Sequence, residues 1–317
     1  MHRAACEAKL RTLVNHAWDK EVTWEEIEGW LSNFNGSLLD TNEEQLYGLF
    51  ALSRFMYFGK RLMREMLKSL YRDHFASPLR QRIRRNFGGT LDVSLIDKSY
   101  EQELNATRFI GVGNPSESGA HLLYYFRQVN YLSKDLFIDI AGAFTPLTDR
   151  DSGRLVMRAR DMNVSRIVFF DDIVGSGTQI SQYLGGYLQS IRESNPGIEV
   201  RFMSLFATAH GLEKLNDARL FDGQAMSLFE LDETYKAFHD SSRYFSNPPD
   251  WFDKDLMQDI VGWYGSKLWP SHPFGYKDGQ LLIGFSHNTP DNVPPIFWYE
   301  GKAVQWSPAF IRYHKKY

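Results

Sequence analysis

Residues 166–184 read RIVFFDDIVGSGTQISQYL, and the rest of the chain is interpreted outward from this stretch. Its apolar beginning, 167–170, is β-branched and aromatic, a pattern typical of a strand buried on both faces. Asp171 and Asp172 follow at once, and the small residues 175–178 come next. After them, apolar residues recur at helical spacing. The predicted order is therefore a strand, an acidic pair, a turn of small residues and a helix.

The turn carries groups that suit a phosphate. A helix start presents backbone N–H groups without intrahelical partners, together with the positive end of the macrodipole. Gly175 and Gly177 allow a close backbone approach and positive φ. Ionised carboxylates accept hydrogen bonds, and the hydroxyls of a ribose can donate them. Successive strand residues face opposite ways, so Asp171 and Asp172 can serve one ligand only if the strand ends there. We therefore predict a ribose-phosphate site.

This stretch has three other possible interpretations. The sequence GSGTQI lacks the third glycine of the dinucleotide-binding fingerprint, because Ile180 stands in its place. The chain contains no G-x-x-x-x-G-K-[ST] motif, which argues against a nucleoside-triphosphatase loop. A capping Asp pair at an ordinary strand–helix turn remains the structural alternative.

The stretch resembles the phosphoribosyl pyrophosphate (PRPP) motif of type I phosphoribosyltransferases. That motif has four apolar residues, two acids, two apolar residues and a Thr/Ser/Gly-rich turn, and residues 167–179 match it position by position. The resemblance implies that Asp171 and Asp172 are catalytic residues that hold the ribose hydroxyls, and that Mg²⁺ accompanies PRPP. No protein-held metal is implied. It also implies a binding loop for the 5′-phosphate, consisting of Gly175, Ser176, Gly177, Thr178 and Gln179.

A second polar loop precedes a second predicted helix. A strand at 108–112 leads into the loop GNPSESG, 113–119, and then into a helix at 121–131. In phosphoribosyltransferases the equivalent loop holds pyrophosphate, so by resemblance the candidates are Ser116, Glu117, Ser118 and Gly119. A structural turn in which Pro115 fixes φ would have the same sequence.

Strands alternate with helices from 108 to 231, and further strands are predicted at 136–140, 199–206 and 226–231. This alternation predicts an α/β fold with a doubly wound, mainly parallel sheet, which is the kind found in type I phosphoribosyltransferases. Ligands of such sheets bind at the carboxyl ends of the strands.

The domain prediction has two parts. Residues 1–87 form a helical N-terminal extension, with one helix beginning at Thr23 and one long helix from Thr41 to Leu70. Residues 88–317 form the phosphoribosyltransferase-like domain. Its aromatic-rich region 232–317 would be a hood over the acceptor.

The C-terminal stretch 286–298 resembles that of phosphoribosyltransferase-like proteins of bacterial conflict systems, which also carry a helical extension and both loops. Members lie in anti-phage defence loci, some beside retron reverse transcriptases, which implies an effector or toxin. The alternative is a non-catalytic PRPP or nucleotide sensor that binds a reverse transcriptase–nucleic acid partner through the basic helices 60–85. A solvated helix face would explain those charges too.

The composition restricts the class of protein. The chain has 317 residues, 43% of them hydrophobic, and a net charge of −3, which implies no general attraction to nucleic acid or anionic lipid. A single cysteine, Cys6, is compatible with a reducing compartment. No apolar run reaches membrane-spanning length. We therefore expect a cytoplasmic protein with no membrane partner.

Overall fold

The computed structural model describes residues 2–113, 118–150, 153–301 and 304–313. The chain forms two compact units, which we call the terminal unit (Met1–Met63 with Asp232–Tyr317) and the central unit (Arg64–Leu231). The units therefore change at Met63 and Leu231, whereas the sequence-based division lies at residue 87. No helix among the described residues combines the length and apolar character needed to cross a bilayer.

The secondary structure is as follows. The α-helices are α1 (His2–Thr12), α2 (Trp24–Leu31), α3 (Thr41–Leu52), α4 (Lys60–Tyr71), α5 (Ser77–Asn86), α6 (Val93–Asn105), α7 (Ser118–Val129), α8 (Ile140–Ala143), α9 (Thr178–Ser194), α10 (Ala209–Leu215) and α11 (Lys254–Leu268). The strands are β1 (Met56–Phe58), β2 (Thr107–Gly111), β3 (Phe144–Thr148), β4 (Leu155–Ala159), β5 (Arg166–Val174), β6 (Glu199–Thr208), β7 (Ala225–Leu231) and β8 (Ile283–Phe285). Short π-helical segments, Leu13–Ala17 and Arg72–Ala76, follow α1 and α4.

The central unit is built on a parallel sheet with the strand order β2–β5–β6–β7. On the other side of β2, Phe109 forms a parallel bridge with Phe137. The spatial order therefore reverses between β2 and β5, as in a doubly wound sheet. The predicted α/β fold with a mainly parallel sheet is confirmed.

Helices cover both faces of this sheet. On one face, Phe126 of α7 packs against Phe109 and Phe170, with ring centroids 5.4 and 5.3 Å apart. On the other face, one side of α9 joins the core that contains Phe169. That side consists of Ile180, Leu184, Leu188 and Ile191, which recur at the 3–4-residue spacing of a buried helix stripe.

The central unit differs from the sequence-based prediction at two points. The strand expected at 136–140 is only the Phe137 bridge, because Asp139 caps the short helix α8 by accepting a hydrogen bond from the Gly142 N–H. Helix α6 was not predicted, although its cap Asp92 accepts from the Leu95 N–H. Residues 145–148 form one strand of the antiparallel hairpin of β3 and β4.

In the terminal unit, the capping box at Thr23 and Glu26 is confirmed in both of its hydrogen bonds. The long helix expected over 41–70 was wrong, because the chain leaves α3 and forms β1 before α4 begins. Strand β1 pairs in parallel with β8, which is distant in sequence, and local helical periodicity cannot report such a pairing.

Glu44 is a buried carboxylate in the terminal unit, with 0% of its surface exposed. Burial alone would raise the pKa of its carboxyl. The Tyr264 hydroxyl, 2.6 Å away, and the N–H groups of Leu38, Gly36 and Leu39 donate to the carboxylate and hold the pKa below its ordinary value. The Glu44 carboxylate therefore holds residues 36–39, which lead into α3, in place.

In the central unit, Arg166 is 3% exposed and joins the amino ends of three strands. Its guanidinium donates to Glu199 at 2.8 Å, to Glu103 at 2.8 Å and to Thr107 at 3.1 Å. Arg82 contacts the same two carboxylates. A buried guanidinium that is satisfied in this way is costly to remove, because its partners lose their counter-charge.

We expect Arg166→Met to destabilise the central unit by about 3 kcal/mol, because two partly buried carboxylates lose their main donor. Urea unfolding followed by far-UV circular dichroism measures the loss. The control is Arg219→Met, since Arg219 is 90% exposed and its ion pair with Asp217 should contribute less than about 0.5 kcal/mol. Equal losses in the two variants would contradict a structural role for Arg166.

We expect Glu44→Gln to destabilise the terminal unit by about 1–3 kcal/mol, because an amide cannot accept all four hydrogen bonds. The folded pKa is depressed, so the native contribution is complete above the ordinary glutamate pKa and is lost as the pH falls through the folded value. The variant should lack this acid dependence, and exposed Glu43→Gln should retain it. Tryptophan fluorescence is the measurement, because all eight tryptophans lie in the terminal unit.

Candidate active site

The candidate site lies at the carboxyl end of β5. Strand β2 pairs with β5 only as far as Gly111 and Phe170, and the Val112 N–H then donates to the Phe170 carbonyl at 2.9 Å. Beyond this point β5 continues to Val174, and its ladder among the described residues is with β6. The final residues of β5 therefore lie at the carboxyl end of the sheet, beside the reversal of strand order, where ligands of doubly wound sheets bind.

Asp171 and Asp172 lie within β5. The condition that the strand ends at this pair is not met, because the ladder with β6 continues through Asp171–Ser204 and Ile173–Phe206. The two side chains therefore lie on opposite faces of β5. The two side chains differ in burial, since Asp171 is half-buried and Asp172 is 5% exposed. Each carboxylate accepts a hydrogen bond from the next backbone N–H, at 2.9 Å for Asp171 and 2.8 Å for Asp172. Asp171 is the more accessible of the two acids.

The turn after β5 consists of Gly175, Ser176 and Gly177, and α9 begins at Thr178. Gly177 is the N-cap residue with φ +66°, a left-handed conformation that glycine adopts without strain. The Ser176 and Thr178 hydroxyls are hydrogen-bonded to each other at 3.1 Å. The first turn of α9 contains no acidic residue, so nothing in it opposes an anion. Gln179 lies in that first turn, beside Thr178.

Helix α10 holds this turn from a second side. The Thr208 hydroxyl donates to the Gly175 carbonyl at 2.7 Å and accepts from the Gly211 N–H at 3.0 Å. A Cβ on Gly211 would lie 2.0 Å from the Gly175 oxygen, so only glycine fits there. The Lys214 ammonium donates to the Thr178 hydroxyl at 3.2 Å.

Sequence reasoning did not assign Thr208, Gly211 or Lys214 to the site. The available signal was the small-residue sequence TAHG at the end of β6, which repeats the plan of the turn after β5. The contact of Lys214 has no local signature, because it joins two helices that follow different strands.

The second predicted loop is described only at its ends, and Ser116 and Glu117 lie outside the described residues. Ser118 is the first residue of α7. A Cβ on Gly119 would lie 2.9 Å from the carbonyl oxygens of Phe170 and Val112, so glycine lets α7 begin against the end of the sheet. The Tyr183 hydroxyl of α9 donates to the Gly113 carbonyl at 3.3 Å. The described ends of the second loop therefore lie at the same end of the sheet as the turn after β5.

Comparison with known proteins gives the family. The PRTase-CE family model matches residues 27–312, which is most of the chain. The chain belongs to the PRTase-CE family. It is a type I phosphoribosyltransferase-like protein. No curated protein matches this PRTase-CE chain.

Solved structures similar to the PRTase-CE chain include three phosphoribosyltransferases. Orotate phosphoribosyltransferase from Aeropyrum pernix is 15% identical, with a TM-score of 0.25 over 44% of this chain and 73% of that one. Xanthine-guanine-hypoxanthine phosphoribosyltransferase from Helicobacter pylori is 10% identical, with a TM-score of 0.29 over 56% and 84%. Adenine phosphoribosyltransferase from Trypanosoma brucei is 15% identical, with a TM-score of 0.25 over 40% and 56%.

A metal ion held by the protein alone needs a cluster of liganding side chains. In residues 2–113, 118–150, 153–301 and 304–313, no group of three or more His, Cys, Asp or Glu side chains could hold an ion. Mg²⁺ commonly binds through one or two carboxylates together with substrate phosphates. The carboxylates of Asp171 and Asp172 fit this way of binding Mg²⁺ together with substrate phosphates.

The basic segment 60–85 of the PRTase-CE chain has nine basic residues, of which six form ion pairs with carboxylates. These six are Lys60, Arg61, Lys68, Arg72, Arg80 and Arg82. Arg64 lies over the Tyr125 ring, and Arg84 donates to the Thr90 carbonyl. This pairing favours the solvated-face interpretation, because most of the positive charge is already compensated. The nucleic-acid partner stays a prediction.

We expect Gly211→Ala to disturb the turn after β5, because its Cβ would overlap the Gly175 carbonyl and force α10 away. A loss of about 1–3 kcal/mol in the central unit should follow. The matched control is Gly186→Ala on α9, where an added Cβ meets nothing within 4 Å and helix propensity favours alanine. Thermal unfolding by far-UV circular dichroism should separate them. A Gly211→Ala protein as stable as Gly186→Ala would contradict the close contact.

Proposed function

We propose that this chain binds PRPP with Mg²⁺ and transfers its phosphoribosyl group to an acceptor, or to water, in which case it hydrolyses PRPP. The observation that carries the proposal is the position of the acidic pair and the small-residue turn at the carboxyl end of β5, next to the point where strand order reverses. Family membership supports the same class of reaction.

In this proposal, the turn and the first residues of α9 bind the 5′-phosphate. Backbone N–H groups at the helix start, the hydroxyls of Ser176 and Thr178 and the adjoining Gln179 supply donors. The left-handed Gly177 directs the chain into α9. The absence of acidic residues from the first turn of α9 means that no neighbouring charge in that turn repels the phosphate.

In the proposal, the ribose lies beside Asp171, and Asp172 lies on the opposite face of β5. Asp171 accepts hydrogen bonds from ribose hydroxyls directly, because it is half-buried and follows the last residue of β5 that pairs with β2. Asp172 is nearly buried, so it contributes chiefly negative charge and the hydrogen bond to the Ile173 N–H that shapes the strand end. The pyrophosphate would be held by the loop that precedes α7, with Ser116, Glu117, Ser118 and Gly119 as candidates.

The reaction breaks the bond between C1 of the ribose and the pyrophosphate oxygen, and the acceptor forms a new bond to C1. Positive charge develops on the ribose as the bond breaks, and the carboxylate of Asp171 stabilises it. When bound with the substrate, Mg²⁺ would supply charge neutralisation to the departing pyrophosphate. The remaining task of the chain is to fix the donor in position and exclude competing water.

Two of three finer predictions rest on the resemblance, and the cytoplasmic location rests on the composition. The three predictions are an effector or toxin role in an anti-phage system such as a retron, a cytoplasmic location, and a hood from 232–317 that covers the acceptor. Each is a proposal for this chain.

We expect PRPP with Mg²⁺ to raise the thermal midpoint of the native chain, and the double variant Asp171→Asn with Asp172→Asn to lose this effect. Asp171→Asn alone should weaken binding at least tenfold, and more than Asp172→Asn, because Asp171 is the accessible acid. A panel of bases, nucleotides and nucleic acids should identify the acceptor through pyrophosphate release.

The control is Glu193→Gln with Asp217→Asn, which removes two exposed charges from the same unit. It should bind PRPP like the native chain. Unchanged stabilisation in the double aspartate variant would refute the assigned role of the acidic pair. Donor binding without pyrophosphate release for any acceptor or for water would instead favour a sensor.

A further inference from the structure

Lys214 brings a positive charge to the turn from outside the PRPP motif. It lies in α10, and its ammonium is 3.2 Å from the Thr178 hydroxyl, the first residue of α9. Its aliphatic part passes close to Gly177, since a Cβ on that glycine would lie 3.5 Å from Lys214 Cδ. Lys214 therefore reaches both the N-cap and the first residue of α9.

The position of this ammonium is electrostatically unfavourable without an anion. A helix N-terminus carries partial positive charge, and cations are stabilising at the opposite end. Within the part of the chain that the structure describes, Lys214 forms no ion pair with a carboxylate. The first turn of α9 has no acidic residue either. Two sources of positive potential therefore coincide at the turn.

The backbone of α10 holds this residue in place. Thr208 links the turn to the N-terminus of α10 through its two hydrogen bonds, and Gly211 packs directly on the Gly175 carbonyl. The base of the Lys214 side chain is thus fixed relative to the turn, less than one helical turn beyond Gly211. Lys214 is only partly exposed, because the aliphatic part of its side chain packs against its neighbours.

We infer that Lys214 binds the 5′-phosphate of the donor and selects for a phosphomonoester over an unphosphorylated sugar. The inference rests on the proposed function and assigns to it a residue that the motif does not contain. A dianionic phosphate at the turn is neutralised by the ammonium while it accepts hydrogen bonds from the N–H groups of α9. A ribose that lacks the phosphate leaves the ammonium beside the helix N-terminus without a counter-charge.

The test is calorimetric titration of the full chain with three probes, namely PRPP with Mg²⁺, ribose 5-phosphate and inorganic pyrophosphate with Mg²⁺. In Lys214→Met, the Kd for PRPP and for ribose 5-phosphate should rise about tenfold to a hundredfold, the effect of losing one charge-assisted hydrogen bond. The Kd for pyrophosphate should stay within about twofold. Lys214→Arg keeps the charge and should restore most of the affinity.

The control is Lys98→Met, which removes the same charge from an exposed position on α6. It should bind all three probes like the native chain. Thermal unfolding checks that Lys214→Met is folded, and Lys214→Gln provides a second variant that keeps a polar donor without the charge. It should bind as weakly as Lys214→Met.

The outcomes separate this inference from the proposed function. Native affinity for PRPP and ribose 5-phosphate in Lys214→Met would overturn the inference and leave the proposed function standing. An equal loss of pyrophosphate and ribose 5-phosphate binding would overturn it too, because the effect would not be local to the 5′-phosphate. No binding of any probe by the native chain would overturn both proposals.

Discussion

The pairing of β5 changes along its length, and the candidate site depends on this change. As far as Phe170 the strand has neighbours on both sides, and its residues are enclosed between α7 and α9. Beyond Phe170 the described ladder of β5 is with β6, and the acidic pair stands there, each carboxylate accepting a hydrogen bond from the next backbone N–H. The same strand therefore provides an apolar core and an acidic end.

The conformation of the turn after β5 depends in a similar way on the neighbouring helix α10. A loop that binds phosphate through backbone groups must keep those groups in place before the ligand arrives, because ordering them during binding would cost free energy. Here α10 supplies that support through Thr208 and Gly211. The same helix carries Lys214, so support and charge come from one element.

Much of this arrangement could be predicted from local sequence. The sequence of residues 167–178 indicated a strand, an acidic pair, a turn and a helix start in the correct order. Each of these features depends on neighbouring residues alone. The continuation of β5 through Asp171 and Asp172 could not be predicted in this way, because the ladder with β6 determines it. The same applies to β1, whose partner lies near the other end of the chain. Lys214 was missed for the equivalent reason, since its contact crosses from one strand–helix unit to the next.

The terminal unit draws on two stretches of chain with the entire central unit between them. Strand β1 has no ladder partner until β8 has been made. At about 5–20 residues per second, a ribosome needs on the order of 10–50 s to reach that point from β1. The central unit is contiguous and can complete its sheet during this interval. Until β8 emerges, apolar side chains of the first helices that pack against the C-terminal stretch stay exposed. In a cell, this is the interval in which a chaperone would bind them.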